Sequence, residues 1–341
     1  MPRSAAPRPT IVDVAARAGV SKSLVSLVMR GATAVSDEKR RLVLEAAEAL
    51  GYRPNAVARS LVRRRTNLLG IVLSDLHNPF YAEVVDGIQA EAGSADYGTI
   101  ITTVDRRALA ERRALDTMLE LRVDALILAS PMLELDSVIA AASLEVPVVL
   151  IARHSNAPRV DTIRNDDSTG AELAVRHLAG LGHTRIAHID GGAGSGAPER
   201  RDGYEQAMRA QGLEEHIRIV SGTYTEQGGR RGVAALLTSG PRPTAIFVAN
   251  DLAAIGALGA LADQGLRVPQ DVSVVGYDNT ALAAVHHIDL TTVDQPRPEM
   301  GRKAVSMLLE RLTGRREVTR HLLMPPTLVI RGTTAPPPLP G

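Results

Sequence analysis

Residues 10–31 read TIVDVAARAGVSKSLVSLVMRG, and this stretch predicts two short helices joined by a tight turn. Thr10 is a suitable N-cap, and apolar residues follow it at the spacing of one helical face: Ile11, Val14, Ala15 and Ala18. Gly19 is a natural helix end and Ser21 caps the second helix. Two short helices separated by a three-residue turn that contains glycine form the helix-turn-helix pattern.

The second helix of this motif has two different faces. Val25, Val28 and Met29 can face a core. The opposite face carries small, polar and basic side chains: Lys22, Ser23, Ser26, Leu27 and Arg30. Such a face can enter the major groove, where base edges are read by hydrogen bonds and methyl contacts.

A third helix is predicted from the cap Ser36 to the stop Gly51, with an apolar face that completes one small core. That face consists of Val43, Ala46, Ala47 and Leu50. Three helices are enough for a helix-turn-helix head. The spacing alone leaves the alternative of a three-helix module that has no DNA partner.

Basic charge is concentrated at the N-terminal end of the chain. Residues 1–65 hold 13 Lys and Arg and 5 Asp and Glu residues, whereas the remaining 276 residues hold 26 basic and 33 acidic ones. A basic head on a mildly acidic body indicates a polyanion that binds the head only. A solvated basic surface is the alternative.

Residues 54–66 form a short basic linker after the head. Pro54 can open a helix, and so short a helix is marginal in isolation, so the segment can be disordered off DNA and helical on it. Arg59 and the three arginines at 63–65 can contact phosphates. Leu61 can insert into the minor groove and unstack a base step. The alternative is a linker whose leucine packs on the body.

From Leu68 onwards, short apolar segments alternate with helical ones. Eight segments are predicted strands: LLGIVL (68–73), GTIITT (98–103), DALILA (124–129), VPVVLI (146–151), RIAHID (185–190), IRIV (217–220), TAIFVA (244–249) and VSVVGY (272–277). Two such series indicate two α/β lobes, each with a parallel sheet. Ligands bind beyond the carboxyl ends of such strands, and the polar residues there are binding candidates: Asp75, Asn78, Arg106, Asp190, Asn250, Asp251 and Asp278.

Six segments resemble the lactose-repressor (LacI/GalR) family, in the family's order from about Thr10 to Arg331: TIVDVAARAGVSKSLVSLVMRG, VSDEKRRLVLEAAEALGYRPNAVARSL, IVLSDLHNPFYAEVVDGI, VANDLAAIGAL, VPQDVSVVGYDN and LTTVDQP. The resemblance implies a homodimer that reads a near-palindromic operator, with Leu61 of each subunit intercalated in the minor groove. It also implies a two-lobed body like that of periplasmic sugar-binding proteins, with an effector between the lobes. The expected DNA-binding residues are Thr10, Ser21, Lys22, Ser23, Ser26, Leu27, Arg30, Asn55, Arg59 and Leu61.

The resemblance also places the effector site. The residues that match the family's pocket motifs are Asn78, Phe80, Arg200, Tyr224, Asn250, Asp278 and Gln295. Arg200 and Asp278 can offer a donor and an acceptor to vicinal hydroxyls, and an aromatic ring can cover an apolar sugar face. We therefore expect a carbohydrate or nucleoside-like effector, with Arg106 and Arg153 as further candidates. The alternative for each residue is a strand-end cap or a salt bridge between the lobes.

Two departures from the family pattern bear on specificity. Leu27 stands where the family usually has an arginine that can hold a guanine, and leucine can make only apolar contact, for instance with a thymine methyl group. Ala152 stands where some sugar-sensing members have an acidic residue, and Arg153 follows it. Arg153 can favour an anionic effector or simply pair with an acid.

Composition and motifs argue against other classes of protein. The chain is 45% hydrophobic and 23% charged, has no cysteine and no run long enough to span a membrane, and lacks a signal-peptide pattern, so we expect a cytoplasmic protein. The segment GGAGSGA (191–197) partly matches a dinucleotide loop, but the acid that should follow about 20 residues later is missing. A cleft-lining loop is the preferred interpretation, and we expect no catalytic activity, cofactor or metal.

The expected organisation is a DNA-binding domain (1–53), a hinge helix and linker (54–66), an effector-binding and dimerisation body (67–331) and a flexible tail (332–341). The tail has no heptad repeat, which predicts a dimer. The expected function is an allosteric DNA-binding repressor. A solute-binding module with an incidental basic head is the alternative, and activation instead of repression also stays open.

Overall fold

The computed structural model of this chain describes residues 9–29, 32, 34–52, 65–104, 108–131 and 136–338. Contacts divide the chain into two units, residues 1–66 and 67–341. Within its described residues, the first unit holds three helices: α1 (Ile11–Ala18), α2 (Lys22–Met29) and α3 (Asp37–Leu50). The helix-turn-helix head predicted from the sequence is therefore present.

The ends of α1 are fixed by the residues that the sequence indicated. The backbone N–H of Thr10 donates to Asp13 Oδ2 at 2.7 Å, and the Thr10 hydroxyl oxygen accepts from the backbone N–H of Asp13 at 3.4 Å. This reciprocal pair satisfies donors that the first turn leaves without partners. Gly19 ends the helix in the left-handed region at φ +65°, where a residue without Cβ has no steric cost.

The head has its own small apolar core. Val14 from α1, Val25 from α2 and Val43 from α3 are fully buried and belong to one cluster. Leu24 N–H donates to Ser21 Oγ at 3.2 Å, so Ser21 caps α2 as predicted. Because α2 buries its valines, its remaining face points away from this core.

The second unit contains two lobes, each built on a six-stranded sheet. Its elements in chain order are β1 (Leu68–Leu73), α4 (Pro79–Ser94), β2 (Gly98–Thr103), α5 (Ala108–Glu120), β3 (Ala125–Ala129), α6 (Asp136–Glu145), β4 (Val148–Ile151), β5 (Val160–Asn165), α7 (Asp167–Gly180), β6 (Ile186–Ile189), α8 (Ala197–Ala210), β7 (Arg218–Val220), α9 (Glu226–Thr238), β8 (Ala245–Val248), α10 (Asp251–Asp263), β9 (Ser273–Asp278), β10 (Thr291–Asp294), α11 (Arg297–Leu312), β11 (His321–Met324) and β12 (Thr327–Val329). Short 3₁₀ turns occupy Glu214–His216 and Ala281–Ala284.

Both sheets are parallel along nearly their whole width, as predicted. The first lobe has the strand order β11-β5-β4-β3-β1-β2, and the second has β12-β10-β9-β8-β6-β7. Only the β10–β12 pair is antiparallel among the described strands. Helices α4, α5, α6 and α11 pack on the first sheet, and α7 to α10 pack on the second. The carboxyl ends of the two sets of parallel strands supply the residues of one cleft.

The chain crosses between the lobes three times, after β5, after β10 and after β11. A further link comes from Glu83 on α4, which accepts a hydrogen bond from the backbone N–H of Ala281 at 2.9 Å. The other oxygen of Glu83 accepts from Arg297 Nε at 2.8 Å. This carboxylate therefore joins α4 to the second lobe and to the start of α11.

Eight strands were predicted, and all eight are present with ends within two residues of the prediction. Four further strands, β5, β10, β11 and β12, were not predicted. The strand β5 (VDTIRN) has polar residues at buried positions, and β11 and β12 are short edge strands. None of them has the continuous apolar run that marks a strand buried on both faces.

The expectation that residues 332–341 form a flexible tail is wrong for the described part of that segment. Thr333 is buried, and its hydroxyl donates to Val274 O at 2.7 Å. Ala335 O accepts from Ser273 Oγ at 3.0 Å and lies 2.8 Å from His183 Nε2. The segment is hydrogen-bonded to the second lobe. Val274 and Ser273 lie about 60 residues before their partners in the chain, so a local sequence pattern gives no signal for these contacts.

Helices α4 and α11 approach each other through glycine. A Cβ at Gly87 would overlap the carbonyl oxygen of Pro298, and one at Gly301 would overlap that of Val84. No described helix in the chain is long and apolar enough to span a membrane. At Gly87 and Gly301 the two helices pack backbone against backbone.

We expect Gly87→Ala to lower the free energy of unfolding by about 1–3 kcal/mol, because the new methyl group forces α4 and α11 apart. The control is Gly93→Ala in the same helix, where a Cβ would meet open space. That change is expected to stabilise the protein by about 0.5–1 kcal/mol, since alanine is the better helix former. Urea unfolding of both variants measures the difference, and equal effects would contradict the packing argument.

Candidate functional site

The body has a cleft at the carboxyl ends of the strands of both sheets. Twelve of the described residues line it: Asn78, Phe80, Tyr81, Ser130, Ala152, Asp167, Ser195, Arg200, Tyr224, Asn250, Asp278 and Gln295. Those before Asp167 come from the first lobe, and most of the others come from the second. All seven residues that the family motifs indicated are among them.

Arg200 is the most constrained side chain of the cleft. Its Nε donates to Asp167 Oδ1 at 2.9 Å, and its Nη1 donates to the carbonyl oxygen of Ala249. The guanidinium carbon lies 3.7 Å from the ring centroid of Tyr277 and 5.4 Å from that of Tyr224. The side chain is only 6% exposed, so this cation is held by an ion pair, a carbonyl and two aromatic faces.

Asp278 is a further charged residue from the second lobe that lines the cleft. Its Oδ1 accepts from Gln295 Nε2 at 2.5 Å, and it has no ion pair with any described residue. Burial raises the pKa of Asp278 to about 7, and the nearby carboxylate of Asp251 also raises it, while Arg200 opposes the shift. The backbone at Asp278 is in the left-handed region, with φ +110°. Strain of this kind is concentrated at functional sites.

Asp251 is a second buried carboxylate behind the cleft. It accepts hydrogen bonds from Thr280 N–H at 2.7 Å and from the Thr292 hydroxyl at 2.5 Å. Burial raises the pKa of Asp251 to about 6 even though these hydrogen bonds lower it. Asp251 therefore ties the loop after β9 to β10, next to Asp278 at the end of β9.

The glycine-rich segment 191–197 holds Tyr224. A Cβ at Gly191 would lie 2.5 Å from the Tyr224 ring, and one at Gly194 would overlap it. The Tyr224 hydroxyl donates to Ser195 O at 2.8 Å. These glycines are accounted for by a tyrosine against the loop, which agrees with the interpretation of a cleft-lining loop.

Asn78 and Asn250 each have two possible roles, because both side chains also cap helices. Asn78 Oδ1 accepts from Phe80 N–H at 3.0 Å at the start of α4, and Asn250 Oδ1 accepts from Ala253 N–H at 2.9 Å at the start of α10. The alternative of a strand-end cap is thus present in the structure. The amide nitrogen of Asn250 donates to Tyr224 O at 3.5 Å, so this side chain also contacts another cleft residue.

One predicted effector residue, Arg153, is not among the described residues that line the cleft. Arg153 is buried and its Nη1 donates to Pro131 O at 3.1 Å, so its charge lies outside the cleft lining. Arg106 lies outside the described residues. Five lining residues were not proposed from the sequence: Tyr81, Ser130, Ala152, Asp167 and Ser195. Asp167 follows β5, and recognising that strand would have marked it.

The head presents the predicted polar face of α2. Lys22 and Ser23 are exposed, Leu27 is 38% exposed and Ser26 is half-buried. Thr10 and Ser21 are exposed and also cap α1 and α2. Arg30, Asn55, Arg59 and Leu61 lie outside the described residues.

Comparison with known proteins agrees with this two-part architecture. Residues 10–55 match the model for bacterial regulatory proteins of the lacI family, and residues 175–334 match the periplasmic binding protein-like domain. The ribose operon repressor of Haemophilus influenzae is 37% identical over 94% of this chain and 97% of its own length. This chain belongs to the LacI family.

Other LacI-family proteins show the same extent of similarity. The transcriptional regulator DegA of Bacillus subtilis is 34% identical, over 96% of this chain and 98% of its own. A crystal structure of the Lac repressor dimer bound to operator and the anti-inducer ONPF is 32% identical, with a TM-score of 0.87 over 96% of this chain and all of that one. The similarity therefore includes both the head and the body of a LacI-family regulator.

Proposed function

We propose that this LacI-family chain is a cytoplasmic, homodimeric repressor whose affinity for operator DNA is controlled by a small polar effector. The observation that carries the proposal is the cleft, where donors, acceptors and aromatic rings from both lobes converge on one volume. The similarity to the ribose operon repressor, which covers 97% of that protein, supports it. We propose no catalytic role for these residues.

The cleft couples a ligand to the relative position of the lobes. Asn78 and Phe80 come from the first lobe, whereas Arg200, Asn250 and Asp278 come from the second. A ligand that contacts both groups favours one arrangement of the lobes. The hydrogen bond from Ala281 N–H to Glu83 can form only when the two lobes are close together. The effector can change operator affinity only through its differential affinity for the two arrangements.

DNA recognition in this proposal rests on α2 and the hinge. Lys22, Ser23 and Leu27 would face base edges in the major groove, with Arg30 and Ser26 beside them. The hinge, residues 54–66, would place Leu61 in the minor groove. In the homodimer, two copies of each element would read an inverted repeat.

The first experiment is selection of duplexes from a random pool by the full chain. We expect an inverted repeat with a central step that kinks readily, weaker binding after Leu61→Ala, and loss of salt-dependent binding when residues 1–66 are removed. A chain that enriches no sequence, with or without a metabolite extract, would contradict the proposal. That result would favour the solute-binding alternative.

A substitution at Leu27 tests the recognition helix directly. We expect Leu27→Arg to move the preferred base at one position of each half-site to guanine, because arginine can donate two hydrogen bonds to guanine where leucine makes only apolar contact. The discrimination should be about 1–3 kcal/mol. Competitive binding to duplexes that differ at that base measures it. Leu44→Arg on the exposed face of α3 is the control, and an identical shift in that variant would mean that charge alone is responsible.

A further inference from the structure

The positive charge in the cleft is already neutralised. Arg200 is the only cation among the described lining residues, and its Nε forms an ion pair with Asp167 at 2.9 Å. Its Nη1 donates to a backbone carbonyl and its planar face lies against Tyr277. A guanidinium that is engaged on this many sides offers a ligand little net positive charge.

Asp167 is fixed in this position from behind. Gly196, in the left-handed region at φ +78°, lies so close that a Cβ there would be 2.7 Å from Asp167 Oδ2. The Asp167 side chain is 12% exposed. Asp167 thus lies between the Gly196 backbone on one side and Arg200 on the other.

The other charged group of the cleft is negative. Asp278 is 3% exposed and accepts one hydrogen bond, from Gln295, among the described residues. Its second oxygen has no donor there. Arg297, the next cation along the chain, is paired with Glu83 at 2.8 Å and with Asp294 at 3.2 Å. A buried acceptor of this kind is satisfied by a donor on the ligand.

We infer that Asp167 sets the charge selectivity of the cleft: by neutralising Arg200, it fits the cleft to an effector that carries hydroxyl or ammonium donors and no negative charge. Phosphorylated and carboxylated metabolites are selected against. This inference rests on the proposed effector function. It replaces the expectation that Arg153 favours an anionic effector. The carboxylate that sets the charge of the cleft is then Asp167 and not a residue at position 152, where this chain has Ala152.

The test removes one charge and leaves the shape of the site. Asp167→Asn is nearly isosteric and keeps an oxygen for Arg200 Nε, but it leaves the guanidinium uncompensated. Isothermal titration of the full-length protein with inorganic phosphate is expected to give a Kd at least about tenfold lower for Asp167→Asn than for the unaltered chain. The gain should vanish in the double variant with Arg200→Gln, which removes the positive charge that Asp167→Asn leaves uncompensated.

The control is Asp271→Asn, which makes the same charge change at the solvent-exposed pair with Arg267 and is expected to leave phosphate affinity unchanged. Phosphate that binds the unaltered chain through Arg200 as tightly as it binds Asp167→Asn would overturn the inference. Phosphate that binds neither protein would also overturn it.

A second measurement separates this inference from the proposed function. Thermal shifts at matched ionic strength compare free sugars with their own phosphate esters, for example ribose, glucose and glucosamine. Any sugar that stabilises the unaltered chain should do so better than its phosphate ester, and the reverse order would overturn the inference. If no sugar binds but Asp167→Asn gains phosphate affinity, the charge selectivity is supported and the proposal of a sugar effector fails.

Discussion

Asp161→Ala is expected to lower the free energy of unfolding by about 3–5 kcal/mol, because it leaves Arg311 without its counter-ion and Arg316 with Glu310 alone. Asp161 is fully buried in β5 and accepts from Arg311 Nε at 2.7 Å and from Arg316 Nη2 at 2.7 Å. The backbone N–H of Arg320 donates to the same carboxylate at 2.8 Å. This one side chain therefore ties β5 to the end of α11 and to the segment that leads into β11.

The pH dependence of this contribution has a definite sign. Burial raises the pKa of Asp161, but hydrogen bonds from Arg311 and Arg316 outweigh it, so the pKa is lowered in the folded protein. The stabilisation is present above the ordinary aspartate pKa of 3.8 and is lost as the pH falls through the folded-state pKa.

Urea unfolding at neutral pH measures the effect of Asp161→Ala. The control is Asp271→Ala, which breaks an Asp–Arg pair of the same chemistry with Arg267, whose side chain is 71% exposed. The control should lose much less stability, because water solvates the arginine that remains. A fall of equal size in the two variants would contradict the buried-cluster argument.

Asp278→Asn is expected to make the protein more stable at pH 8, by about 2–4 kcal/mol, while removing its response to effector. Burial and the Asp251 carboxylate hold the pKa of Asp278 at about 7, against an ordinary value of 3.8. The folded state thus binds this proton more tightly than the unfolded state does. Its ionisation costs stability as the pH rises from about 4 to about 7, and an uncharged amide avoids that cost.

The measurement is the free energy of unfolding at several pH values from 5 to 8. For the unaltered chain, the Asp278 contribution falls across this range; Asp278→Asn should reduce that fall, leaving the part due to Asp251, whose pKa is about 6. Asp271→Asn, at a site where Arg267 lowers the aspartate pKa, should show no gain. A destabilised Asp278→Asn at pH 8 would mean that the attraction to Arg200 outweighs burial.

A variant that gains stability and loses ligand response fits the behaviour of functional sites in general. The charge on Asp278 opposes folding, and the benefit that we propose for it is the acceptor that it offers to a ligand. Asp161 has the reverse character, since its charge has full partners and it does not line the cleft. The two carboxylates are both buried, and only their partners distinguish the structural one from the functional one.

The parts of the fold that could be predicted are those with local causes. Thr10 and Gly19 fix α1 through contacts within one turn, and apolar runs such as LLGIVL mark strands that are buried on both faces. The strand β5 was missed because its polar side chains are buried by distant partners, such as Arg311 for Asp161. Asp167 follows that strand, and it was missed because the strand before it was not recognised.

The candidate site divides in the same way. Asn250 and Asp278 could be placed because they follow predicted strands, and Arg200 because its motif matches the family. Arg153 was placed wrongly because the backbone turns at Ala152, which has φ +61°, and the arginine then contacts Pro131. A predicted strand end shows which residues lie at the edge of the sheet. The direction of each side chain there depends on the turn that follows, which the sequence pattern does not specify.

The three crossovers between the lobes also affect the order in which a growing chain can fold. The head holds all of its three described helices within the first 50 residues, so it can fold soon after it leaves the ribosome. The first lobe begins at β1 but lacks α11 and β11 until residues 297–324 have been made, and the second lobe lacks β12 and Thr333 until still later. Neither lobe can close its sheet during most of synthesis, and both must be completed together when the last tenth of the chain emerges.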